Sequence, residues 1–175
     1  MRIKTIVVAL LAVPLAAQAQ VAKPQTLSNQ DCATVIADSD AGKYTRTVDD
    51  LVFCEAWNQG MAPGEERLVG YVFRRPLPLA GQEAYLLVGI NEDGTIARVF
   101  AAKTDLVEEE FLAQLAGKGM QANWQIARTP EDLLHLPAMI KAMRGKPALS
   151  ENIVSEMKEI LILAHDKVLK RKASS

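Results

Sequence analysis

Glu83-Ala84-Tyr85-Leu86-Leu87-Val88-Gly89-Ile90-Asn91-Glu92-Asp93-Gly94-Thr95-Ile96-Ala97-Arg98-Val99-Phe100-Ala101 is the stretch on which the fold turns. Two apolar, β-branched and aromatic runs flank Asn91-Glu92-Asp93-Gly94. An Asp-Gly pair tolerates the positive φ of a tight reversal, so the stretch predicts an antiparallel hairpin. In its second arm, simple alternation sends Ile96 and Arg98 one way and Ala97, Val99 and Ala101 the other. Residues 67–73, Arg-Leu-Val-Gly-Tyr-Val-Phe, are apolar on both faces and predict a strand between another strand and a covering helix. Pro76, Pro78 and Gly81 turn the chain between that strand and the hairpin.

After the hairpin the apolar period changes from two to between three and four. Asp105-Leu106-Val107-Glu108 has capping-box spacing, and Val107, Phe111, Leu112 and Leu115 make a stripe that stops at Gly117 or Gly119. Thr129-Pro130 opens a second helix, which Pro137 bends or restarts. A third opens at Ser150 and reaches toward Lys170, with Ile153, Met157, Ile160, Leu161, Ala164 and Val168 on one face. Strands followed by helices, without an internal repeat or linker, predict a single α+β domain: an antiparallel sheet with helices packed mainly on one face.

The N-terminus carries a different message. Arg2 and Lys4 precede the apolar run 6–17, and Ala17-Gln18-Ala19 is the small-x-small pattern of a signal-peptidase site, so residues 1–19 read as a signal peptide. The run is about 12 residues, against the roughly 20 of a spanning helix, and Pro14 interrupts it. A periplasmic or secreted protein of residues 20–175, with no transmembrane segment after cleavage, is the expectation. It carries 18 basic against 21 acidic residues, which is not a nucleic-acid footprint.

Export makes pairing the default for Cys32 and Cys54, the two cysteines of the chain. A disulfide between them would pin the segment 20–65, poor in periodic apolar positions, to the core 66–170 and add roughly 3 kcal/mol. No metal site is expected, because the two histidines, His135 and His165, each fall inside a helix and the cysteines are committed elsewhere. Gly-x-Ser-x-Gly is absent, and Asp49-Asp50 beside Tyr44 has no dry surroundings in view, so the sequence leans away from an enzyme. Trp57 and Trp124 are candidates for stacking on a planar ligand or for packing at the edge of the core.

The hairpin and the following Phe111-Leu112-Ala113-Gln114-Leu115-Ala116-Gly117-Lys118 resemble the bacterial FMN-binding domain family. That family includes the extracytoplasmic flavin domains of sodium-pumping NADH:quinone reductases. Arg144-Gly145-Lys146-Pro147-Ala148-Leu149-Ser150 is similar to its flavin-attachment motif, but Pro147 stands where the family has its acceptor threonine. The glycines that would follow Thr104 are also missing. The resemblance implies an exported, non-catalytic accessory or binding module with a degenerate flavin site, serving an unknown protein partner or small ligand. The alternative it implies is an electron-transfer protein that holds FMN non-covalently, with Lys103, Thr104 and Lys146 on the phosphate.

Overall fold

A computed structural model describes residues 26–166 except 49, 80, 82 and 136–138; the signal-sequence reading of 1–19, the bend at Pro137 and the helix end near Lys170 lie outside the described residues. The described chain begins with helix α1 (Asn29–Val35). Five strands follow: β1 (Ala41–Val48), β2 (Leu51–Asn58), β3 (Arg67–Pro76), β4 (Tyr85–Asn91) and β5 (Ile96–Ala102). They form one antiparallel meander in the order β1-β2-β3-β4-β5. Helix α2 (Glu109–Ala113), strand β6 (Ile126–Ala127), helix α3 (Pro130–His135), strand β7 (Ile140–Lys141) and helix α4 (Pro147–Ala164) complete an α+β fold.

The sheet separates two apolar layers. On one face Leu51, Phe73, Leu86, Val88, Ile90, Ile96 and Val99 pack with Phe111, Leu112 and Leu115 and with the buried stripe Ile153, Met157, Ile160, Leu161 and Ala164 of α4. That stripe is the one the three-and-four spacing predicts, and each of its larger side chains contributes about 1.5–3 kcal/mol by burial. Arg75 of β3 ties the polar side of α4 down, its Nε donating to Glu156 at 2.7 Å. On the other face α1 is the one helix among the described residues, burying Cys32 and Val35 against Cys54, Val72 and Leu87. Gly70 and Gly89 let it settle: a Cβ on Gly89 would meet the Val35 carbonyl oxygen at 2.4 Å, and one on Gly70 the Ile36 Cδ1 at 3.1 Å.

Four expectations change. Cys32 and Cys54 are free thiols, not a disulfide: their sulfurs lie 3.3 Å apart, a hydrogen-bond distance and far beyond the roughly 2.05 Å of a bonded pair. The N-terminal segment is instead held by packing and capping. Leu27 is buried, and Ser28 and Asp31 form a reciprocal capping box at α1.

In β5 the register with β4 shifts between Gly89 and Ile90, leaving Ala97 as an extra residue. The bulge breaks the alternation, so Ile96 and Val99 share the α4 face while Ala97 and Phe100 turn to the α1 face. The box at Asp105 does not start a helix. Thr104 Oγ1 accepts from Leu106 N at 3.1 Å in a tight turn, and α2 begins only at Glu109. Finally, α4 starts three residues before Ser150, at Pro147, whose missing N–H costs nothing in the first turn.

Candidate functional site

A cleft of about 780 Å³ lies between β5 and α2. It touches Arg98, Val99, Phe100 and Ala101 in succession, although neighbouring residues of a strand face opposite sides. Only the backbone edge of β5 presents all four, so the cleft runs along that edge. β5 is terminal in the sheet. Its first residue is covered, since Ile96 N donates to Lys118 O at 2.9 Å and Gly117 N donates to Ile96 O at 2.8 Å. Beyond Ile96 no strand pairs with its outer side among the described residues.

The opposite wall comes from Val107, Leu112, Ala113 and Ala116, and Asp105, Glu109 and Glu110 rim it. This wall is braced from behind. Lys146 Nζ donates to Leu106 O at 2.8 Å, Glu108 N to Met143 Sδ at 3.4 Å, and Gln114 exchanges hydrogen bonds with the backbone of Lys141 at 2.8 and 3.1 Å. Ser150 holds Met143 in turn, accepting from its N–H at 2.9 Å and donating to Lys146 O at 3.0 Å. The short helix α2 thus owes its position to α4 and β7 rather than to its own length.

Of the three groups the resemblance singles out, the structure brings two to the cleft. Lys103 and Thr104 line it, whereas Lys146 is absent from its walls and spends its ammonium on the Leu106 carbonyl. Lys103, in a left-handed conformation at φ 58°, leans to Glu83 with 3.3 Å between charges. This set fits a flavin phosphate poorly: one cation is already paired, one is turned away, and three carboxylates share the rim. Glu109 and Glu110 of that rim stand in the first turn of α2.

The other candidates do not gather at the cleft. Trp124 is buried, with its indole N–H donated to Gly119 O at 3.1 Å; Trp57 donates to Glu55 at 3.0 Å under the Lys43 ammonium. Tyr44 is exposed at a left-handed turn of β1, φ 56°, and Asp50 lies in the turn after β1. His165 Nδ1 is 3.2 Å from Asp166. Among the described residues no three His, Cys, Asp or Glu side chains gather to hold a metal, and no helix is long and apolar enough to cross a membrane.

The buried thiols form a closed pair. The hydrogen bond from Cys54 favours the thiolate of Cys32 and lowers its pKa, while the same bond and burial push Cys54 up. Behind them Gly42 leaves no room, since a Cβ there would lie 2.8 Å from Cys32 Sγ.

No protein-family model matches the chain, and no curated protein is significantly similar to it. The likeness to FMN-binding domains rests on the motifs quoted above.

Proposed function

We propose that this protein is a non-catalytic binding module whose ligand seats in the cleft between β5 and α2. The observation that carries the reading is the cleft itself. Its volume of about 780 Å³ is within the range of ligand sites, its α2-side wall of Val107, Leu112, Ala113 and Ala116 is apolar, and its carboxylates sit on the rim where they orient a ligand rather than react with it. The export expected from residues 1–19 would put that ligand outside the cytosol. Flavin is the less favoured occupant, because the phosphate would meet Asp105, Glu109 and Glu110, while the two cations of the lining are engaged elsewhere, Arg98 with the Thr34 carbonyl and Lys103 with Glu83.

Amide chemical-shift mapping with a fragment collection that includes FMN tests this. Shifts confined to residues 98–105 and 109–116, lost in Ala113→Trp, are the expected result. Ligands that bind elsewhere, or turnover of a flavin-coupled donor by the purified protein, would overturn it.

A further inference from the structure

We infer that the ligand of this cleft is an extended peptide segment carrying basic side chains, which adds to the sheet as a strand beside β5. The inference rests on the binding-module reading and names its partner. Three observations carry it.

The first is the contrast between the two edges of the sheet. At the β1 edge the register with β2 shifts between Lys43 and Arg46, and Tyr44 sits at φ 56°, so the edge is kinked where another strand would pair. At the β5 edge the bulge comes at Ala97, and the residues after it run on to Ala102 in continuous register with β4. The outer N–H and C=O groups of that run face a cleft, not a covering element.

The second is shape. An edge strand with a helix standing off it across a groove is the arrangement in which a peptide gains main-chain hydrogen bonds on one side and side-chain contacts on the other. Here Leu112, Ala113 and Ala116 form the helix side. Ala113 and Ala116 are exposed and small, leaving space for side chains that project from every second residue of the incoming strand.

The third is charge. Asp105, Glu109 and Glu110 have no ion-pair partner among the described residues. All three are exposed on the α2 side of the mouth, whereas the two cations of the lining are engaged on the β5 side, Arg98 donating to Thr34 O at 3.4 Å and Lys103 pairing with Glu83 at 3.3 Å, so basic side chains of the peptide complement the three carboxylates.

Selection from a displayed library of random peptides about as long as β5, on the immobilised protein with Ala113→Trp as counter-selection, tests the inference. Enriched peptides are expected to alternate apolar residues and to carry lysine or arginine. Methylating the amide nitrogens that face β5 should weaken binding about tenfold or more, since each methyl group removes a main-chain hydrogen bond to the strand edge. Glu109→Gln combined with Glu110→Gln should weaken it severalfold while leaving the fold intact by circular dichroism.

Enriched peptides that tolerate methylation on the edge-facing side would overturn strand addition while leaving a cleft that binds ligands. No enrichment over Ala113→Trp would overturn the peptide assignment, and fragment binding to the same residues would then decide separately whether the binding-module reading stands. A concentration-dependent dimer that Ala113→Trp dissociates would also overturn it, in favour of a second copy on the edge.

Discussion

The carbonyl oxygen of Val35, at the end of α1, faces Gly89 in the middle of β4 so closely that a Cβ on the glycine would lie 2.4 Å from it. Neither group can move cheaply: one belongs to a helix end packed on the sheet, the other to a central strand paired on both sides. Gly89→Ala should therefore lift α1 from its face and destabilise the domain by about 2–3 kcal/mol, at the upper end of overpacking costs. Urea denaturation monitored by circular dichroism measures it. Gly119→Ala, whose Cβ would meet nothing nearer than 3.6 Å, should stay within about 0.5 kcal/mol. Equal effects of the two would mean that α1 does not depend on this close approach.

Cys32 and Cys54 are both completely buried and both free. Denaturing the protein without reductant should expose two titratable thiols per chain, whereas the native protein should react slowly because the reagent must wait for α1 to open. Gly42→Ala, which puts a methyl 2.8 Å from Cys32 Sγ, should speed native labelling. Fewer than two thiols in the denatured chain would contradict the unbonded pair.

The hairpin, the α4 stripe and the α+β class were legible because each depends on local spacing: Asp93-Gly94 fixes the turn, and Ile153, Met157, Ile160 and Leu161 repeat at helical intervals. β1 was not legible. Tyr44, Thr45, Arg46 and Thr47 are exposed in succession on this edge strand, so no apolar alternation marks it. The bulge at Ala97 was hidden as well, since only pairing with Gly89 reveals the extra residue. The pairing of the cysteines was inferred from compartment alone, while their actual separation is set by how α1 seats over Gly42, Gly70 and Gly89. For the cleft, Lys103 and Thr104 were within reach of motif comparison. The role of α2 was not, because it is held from behind by Met143, Lys146 and Lys141, all distant in sequence.

Ser150 links two of those braces. Its hydroxyl, fully buried, accepts from Met143 N and donates to Lys146 O. Ser150→Ala removes the oxygen and leaves the Met143 N–H without its acceptor in a dry site, at a cost of about 2 kcal/mol. Hydrogen exchange should localise the loss: the Met143 amide and the amides of residues 106–113 should exchange faster than those of β3 and β4. An unchanged pattern at 106–113 would show that the back wall of the cleft is not held through Ser150.

Asp93 gives the hairpin a dependence on acid. Its carboxylate accepts from the Thr95 hydroxyl at 2.7 Å and from the Thr95 backbone N–H at 2.9 Å, and these bonds hold its pKa below the usual carboxylate range. The two bonds fix the turn in which Gly94 takes φ 83° and Asn91 N donates to Thr95 O at 2.8 Å. Because the folded pKa is depressed, the stabilisation is fully present above the unfolded value of about 4 and is lost as the pH falls through the lower folded value. Asp93→Asn keeps an acceptor for the Thr95 N–H but cannot titrate. The stability difference between the natural chain and this variant should be largest near neutrality and should shrink on acidification below about pH 4. Side-chain carbonyl NMR of Asp93 reports the titration directly, and a midpoint at or above that of an unperturbed aspartate would refute the assignment of Thr95 as the group that favours its charged form.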